Sequence, residues 1–197
     1  MHRDKINRII VLGSSPDSAL GGAGKVIYSY INHYARNNIK YIFLPIHTRK
    51  ASRILRYRPT LFSILKSIKI RIKHDKDLFV IHHHHTSISD LVSFFLIKSI
   101  MGIDRKKCLI TFHNPKHFHN IKLVNEEIYY EKSNTLFKGL CIKKLLFFLY
   151  FKFISFLSGN FHFLNSINYK LVKNLINEKI EINILPNPLT DFQRLFL

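Results

Sequence analysis

The chain has 197 residues, a hydrophobic fraction of 47% and a formal net charge of +19, with 31 Lys and Arg against 12 Asp and Glu. This length and apolar content predict a single domain with a full core and exclude a disordered tail. The excess of positive charge indicates an anionic partner such as nucleic acid, an acidic membrane surface or a phosphorylated ligand. Two cysteines are too few for a disulfide framework. The N-terminal apolar run is too short for a signal peptide, so a cytoplasmic location is expected.

Apolar runs alternate with helix-like stretches along the chain. The predicted strands are 6–12, 41–46, 78–81, 108–112, 161–164 and 181–185. Between them the spacing of apolar residues predicts helices at 26–36, 60–72, 87–101, 145–157 and 166–176. Such an alternation is typical of right-handed βαβ units. The sequence therefore predicts an α/β fold with a Rossmann-like, doubly wound and mostly parallel sheet flanked by helices.

Two segments need separate treatment. Residues 114–136 are polar and are predicted to be irregular. The apolar segment 145–157 is shorter than the roughly 20 residues that a membrane-spanning helix needs, and Lys152 lies in its middle. Two alternatives remain for this segment: a buried helix, or a helix that lies on a membrane surface with its lysines at the headgroups.

A glycine-bearing loop joins the first strand to the first helix, within VLGSSPDSALGGAGKVIYSYI. A P-loop is excluded because Ala19 stands where its outer glycine is needed and Val26 where its hydroxyl is needed. The dinucleotide fingerprint fails because Ile27 occupies the position of its third small residue. What remains is a strand-to-helix loop suited to an anionic or hydroxyl-rich ligand.

Candidate ligand-binding residues follow the predicted strands, where doubly wound sheets bind ligands. His82 to His85 follow the third strand, His113 the fourth, Asn165 the fifth and Asn187 the sixth. Because side chains alternate along a strand, His82 and His84 are expected on one side with His113 beside them. A dedicated metal site is disfavoured, since no well-spaced Asp, Glu or Cys completes one. A purely structural role for His113 stays open.

The segment 47–76 is strongly basic. The helix predicted within it has apolar positions at Leu61, Ile64, Leu65 and Ile68, and its bases lie mostly off that face. A solvated basic face and a membrane-facing patch are both compatible with this pattern. Nucleic acid is disfavoured as a partner because no recognisable reader motif accompanies the charge.

With these landmarks in order, the chain resembles the N-terminal half of the GT-B glycosyltransferases of family 4. The resemblance rests on VLGSSPDSALGGAGKVIYSYINHYA, DLFVIHHHHTSISD, CLITFHNP and FHFLNSINYKLV followed by INILPNPLTDF. It covers essentially the whole chain. It implies a Rossmann-like domain over 1–186, which is one half of a GT-B architecture. Residues 187–197 would begin the inter-domain linker, with the donor-binding second domain absent.

The resemblance also implies an activity and its residues. His113 matches the active-site histidine of the family, and Gly21 and Gly22 match its loop glycines near the donor. Donor or acceptor contacts are further expected at His82, His84, Asn165 and Asn187. The implied reaction is retaining transfer of a sugar from a nucleotide-sugar co-substrate to a saccharide or lipid-linked acceptor, in surface-polysaccharide or glycolipid synthesis. No cofactor and no metal are required. Pro188 departs from the family, which usually has glycine there.

Without its second domain the chain is expected to lack full activity, and that domain would be a separately encoded partner or lost by truncation. A peripheral location at the inner face of the membrane, with its anionic surface as a partner, accords with the charge. The alternative function is a non-catalytic basic module that binds an anionic membrane, polysaccharide or nucleic acid. Binding of nucleic acid would weaken steeply with salt.

Overall fold

A computed structural model describes residues 8–14, 22–47, 58–86, 88–113, 121–124, 127–130, 139–164, 169–170, 172–173, 176 and 179–184. The strands are β1 (Arg8–Ser14), β2 (Tyr41–His47), β3 (Phe79–His85), β4 (Cys108–Phe112), β5 (Ile121–Val124), β6 (Glu127–Tyr130), β7 (Asn160–Phe163) and β8 (Glu181–Ile184). The long helices are α1 (Gly22–Arg36), α2 (Arg58–Lys73), α3 (Ile88–Met101) and α4 (Gly139–Leu157).

One sheet organises the chain. Its six strands are all parallel and follow the order β2-β1-β3-β4-β7-β8. The predicted Rossmann-like α/β fold is therefore confirmed at this level. The chain first adds strands in one direction, from β1 to β2, and then reverses to place β3 on the other side of β1. Such a reversal is the switch point at which doubly wound sheets open a crevice for ligands.

Two predictions of local structure were wrong. Within 114–136, predicted as irregular, β5 and β6 form an antiparallel hairpin. Strands of four residues are too short to show an alternating pattern in a polar sequence. In addition, β3 does not end before its histidines, because the ladder to β4 continues to His85, opposite Phe112.

The two faces of the sheet differ in chemistry. The face covered by α2, α3 and α4 is mostly apolar apart from His83 and His85, and its buried apolar members include Ile10, Leu12, Phe79, Ile81, Ile110, Phe112, Phe161 and Phe163. Burying each such side chain contributes roughly 1.5–3 kcal/mol, so this face supplies most of the stability. The opposite face packs on α1, and there the sheet presents imidazole and hydroxyl groups, described below. None of the helices in the described part of the chain is both long and apolar enough to cross a bilayer.

Candidate functional site

The carboxyl edge of the sheet at the switch point brings together the ends of three strands and the start of a helix. Here β1 ends at Gly13 and Ser14, and α1 begins at Gly22. The backbone N–H of His113 donates to the carbonyl of His85 at 3.0 Å, which extends the ladder between β3 and β4 by one residue. This bond fixes His113 beside the end of β3.

A hydrogen-bonded histidine pair lies at this edge. The Nδ1 of His84 is 2.7 Å from the Nε2 of His113. The other nitrogen of His84, Nε2, is buried and has no partner in the described part of the chain. Because one ring donates and the other accepts, the tautomers of the two rings are linked. Of the two outer nitrogens, His84 Nε2 and His113 Nδ1, one therefore carries a proton and the other a lone pair.

Burial keeps this pair neutral. Desolvation lowers the pKa of His113 to about 3, and repulsion from neighbouring imidazoles acts in the same direction. The pKa of His84 lies well below its ordinary value, first through desolvation and then through His82 and His113. A neutral pair can donate to one hydroxyl and accept from another, but near pH 7 it has no proton to supply as a general acid.

Gly13 lets α1 approach the strand end closely. A Cβ at this position would lie 2.7 Å from Cδ1 of Ile27 and 3.5 Å from Cβ of His84, and only glycine avoids that crowding without a shift of neighbouring side chains. The first N–H groups of a helix have no intrahelical partner and carry partial positive charge. No acidic side chain occupies the first turn of α1. The helix start therefore favours an anionic group.

Beneath this edge, a polar chain connects α1 to β3, β4 and β7. His82 lies 2.8 Å from the Tyr34 hydroxyl through Nδ1 and 2.7 Å from the Thr111 hydroxyl through Nε2. The Thr111 hydroxyl is 3.1 Å from Nδ1 of His162, and the Tyr30 hydroxyl is also 3.1 Å from that nitrogen. One arrangement links four of these groups: Tyr34 donates to His82, His82 to Thr111, and Thr111 to Nδ1 of His162, for whose single lone pair the Tyr30 hydroxyl competes.

The four consecutive histidines thus have different surroundings. His82 and His84 share the α1 face, with ring centroids 4.2 Å apart, as their alternation predicted. Both ring nitrogens of His82 have hydrogen-bond partners, whereas Nε2 of His84 has none in the described part of the chain. On the opposite face, His83 stacks on Phe94 with centroids 4.8 Å apart, and His85 Nε2 contacts the Tyr150 hydroxyl.

The remaining predicted site residues are placed unevenly. Gly22 is the first residue of α1. Gly21, Asn165 and Asn187 lie outside the described residues. In the ranges that the structure describes, no group of three or more His, Cys, Asp or Glu side chains is arranged to hold a metal ion. Sequence reasoning missed four supporting residues: Tyr30, Tyr34, Thr111 and His162. The only sequence signal among them was the helical spacing of the two tyrosines.

The polar chain makes a prediction for stability. Thr111→Val should lower the free energy of unfolding by about 2–3 kcal/mol, because it leaves the buried Nε2 of His82 without its hydroxyl partner, whereas Nδ1 of His162 keeps the Tyr30 hydroxyl. Thr111→Ser keeps that hydroxyl and should cost only about 1 kcal/mol for the lost methyl group. Urea denaturation at pH 7 measures both values. Equal losses in the two variants would contradict a role for the hydroxyl.

No protein-family model matches the chain, and no curated protein is significantly similar to it. The fold, the carboxyl edge of the sheet and the motifs in the sequence are therefore the features that bear on function.

Proposed function

We propose that the chain is the acceptor-side half of a GT-B glycosyltransferase and transfers a sugar from a nucleotide-sugar donor to a saccharide or lipid-linked acceptor. The observation that carries the proposal is the His84–His113 pair beside the start of α1 at the switch point. A buried imidazole nitrogen without a partner, His84 Nε2, is costly unless a ligand uses it. The resemblance of the sequence motifs gives the ligand class.

Each part of the edge has a task in this proposal. The first N–H groups of α1 offset the charge of the donor diphosphate. The outer nitrogens of the histidine pair bind sugar hydroxyls, since a hydroxyl can both donate and accept. His82 packs its ring against His84 at 4.2 Å and is itself held by Tyr34 and Thr111. The polar chain therefore fixes the orientation of the pair.

In the proposed reaction, the bond between the anomeric carbon and the diphosphate oxygen breaks, and a bond to the acceptor oxygen forms. The acceptor proton leaves with the departing nucleoside diphosphate. The helix start stabilises the charge that develops on the diphosphate. Because its pKa is about 3, His113 positions the sugar and does not act as an acid. In this proposal the nucleotide itself is held by a donor-binding domain of the GT-B architecture.

Saturation-transfer NMR with UDP-glucose, UDP-N-acetylglucosamine and GDP-mannose tests the proposal on the full chain. We expect at least one donor to bind, with saturation strongest on sugar protons and weakest on base protons, because the base would face the second domain. No binding of any of the three would contradict the proposal, and so would saturation confined to the base. Binding of DNA that falls steeply with salt, without donor binding, would favour the alternative of a basic binding module.

A further inference from the structure

Helix α2 buries several hydroxyl side chains and exposes several large aliphatic ones. Its buried side carries hydroxyls. Thr60 donates to the carbonyl of Ile46, Ser63 donates to that of Pro45 at 2.6 Å, and Ser67 donates to that of Ser63 at 2.6 Å. These small side chains let the helix lie close to β2, and the bonds satisfy their buried oxygens. Of the large aliphatic residues of the helix, Ile70 is buried and Ile64 packs against the core, and the other four lie on the outer side.

The outer side of α2 carries an aliphatic stripe. Leu61, Leu65, Ile68 and Ile72 are exposed by 64%, 64%, 41% and 79%. Positions separated by four, three and four residues fall on one line along a helix. Leu61, Leu65 and Ile68 were predicted on the apolar face of this helix and are exposed, whereas Ile64, predicted on the same face, packs against the core.

The apolar surface continues over α3 and α4. On these helices the exposed apolar side chains are Val92, Phe95, Leu96, Phe148, Leu149, Phe153 and Phe156. The rings of Phe95 and Phe153 meet with centroids 6.2 Å apart, and α2 packs against α3. The exposed apolar residues of these three neighbouring helices are here together named the α2–α4 face. Exposed patches of this breadth mark interaction sites on soluble proteins.

The exposed charges on the three helices of the α2–α4 face have one sign. The exposed bases on its helices are Lys66, Lys69, Arg71, Lys73 and Lys152. The Nζ of Lys152 lies 5.2 Å from the ring centroid of Phe148, so apolar and basic groups are interleaved. The only acidic residue in the three helices is Asp90, which is buried and accepts from Thr86. A partner for this face must therefore combine an apolar layer with negative charge.

We propose that the α2–α4 face docks on an anionic lipid bilayer. A bilayer surface is broad enough for three helices, receives apolar side chains at its acyl boundary and offers phosphates to lysines whose stems lie along it. A second copy of the chain would set Lys66, Lys69 and Lys73 against the same lysines, which disfavours a symmetric dimer. For the apolar segment 145–157, a buried helix and a helix on a membrane surface were the two alternatives, and this docking combines them. Helix α4 buries Phe151, Ile154 and Leu157 while it exposes its other side.

Co-sedimentation with vesicles tests the docking without any assay of sugar transfer, so its outcome is separate from that of the proposed function. The full chain is mixed with vesicles of phosphatidylcholine alone or with vesicles that also contain about 30% phosphatidylglycerol. Phosphatidylglycerol is anionic and gives the vesicle surface a negative potential. We expect at least about tenfold stronger partitioning to the anionic vesicles. Equal partitioning to both, or no binding to either, would overturn the proposal.

Two double variants locate the surface. Lys66→Glu with Lys69→Glu should weaken binding roughly 30-fold or more, because each base near an anionic surface contributes about fivefold. The matched control, Lys40→Glu with Lys106→Glu, makes the same change in net charge just before β2 and β4, at the amino edge of the sheet. It should reduce binding less than about threefold. Equal losses in the two variants would overturn the assignment.

A third variant tests the apolar stripe. Leu65→Gln with Ile72→Gln keeps good helix formers at exposed positions and should weaken vesicle binding about tenfold. Circular dichroism and a thermal melt check that it folds like the wild type. Unchanged binding would overturn the proposal that the stripe enters the bilayer, and so would a stable dimer of the wild type that excludes vesicles.

Discussion

Lowering the pH from 7 to 5 is expected to reduce the free energy of unfolding by about 4 kcal/mol through His82 and His84 alone. Desolvation lowers the pKa of His82 to about 3 and that of His84 well below 6.5. Well above pH 6.5 both rings are neutral in the folded and unfolded states. As the pH falls, the unfolded chain takes up protons that the folded chain does not, so stability declines by about 2 kcal/mol per ring over this range. His113 acts in the same direction.

Urea denaturation at half-unit steps between pH 7.5 and 5 measures this loss, which is a large share of the roughly 5–15 kcal/mol that stabilises a typical domain. Near pH 5, the slope of the unfolding free energy against pH should correspond to the uptake of at least two protons on unfolding. NMR of the imidazole carbons provides a control in the folded state, where the rings of His82 and His84 should not titrate above pH 5. Ring titrations near pH 6.5, or a free energy that stays flat, would contradict the account of a neutral buried cluster.

Replacing His113 should have the largest effect on function. His113→Ala is expected to weaken donor binding about tenfold and to lower any sugar transfer about 100-fold. The substitution removes the ring nitrogen that faces the ligand in our proposal and leaves Nδ1 of His84 without its partner at 2.7 Å. Binding is measured by NMR titration with the donor, and transfer by release of nucleoside diphosphate in the presence of acceptor and donor-binding domain.

A conservative variant separates function from structure at this position. In His113→Gln the amide takes the place of Nε2, so the contact with His84 is kept while the outer nitrogen is lost. This variant should have nearly wild-type stability and yet bind the donor as poorly as the alanine variant. His33→Ala, an exposed position on α1, should bind like the wild type. Normal donor binding by the glutamine variant would show that Nδ1 of His113 does not contact the ligand.

The sheet could be predicted because most of its strands are recognisable from their own short stretches of sequence. Strand β4 has the predicted bounds, Cys108–Phe112, since a short apolar run between turn signals is typical of a strand buried on both faces. The parallel arrangement followed from the intervening helices. The hairpin of β5 and β6 was missed because each of its strands has only four residues, which is too short for a recognisable strand pattern.

The surroundings of the site could be predicted only in part. Alternation along β3 gave the shared side of His82 and His84, but their partners depend on the tertiary fold. Tyr30 and His162, for example, are 132 residues apart in the sequence and meet across α1 and β7. The outward face of α2 was also beyond prediction, because hydroxyl bonds to the edge strand β2 decide which side of that helix is buried.

We propose that the His84–His113 pair and the start of α1 bind the sugar and diphosphate of a nucleotide-sugar, and NMR of the histidine rings during a donor titration tests this claim. On addition of a donor that binds, the account predicts that the ring signals of His84 and His113 shift together and that the pKa of His113 rises, because a nearby diphosphate favours the charged ring. Signals of His33 and His74 should stay unchanged. Donor binding that moves neither ring of the pair would contradict the claim.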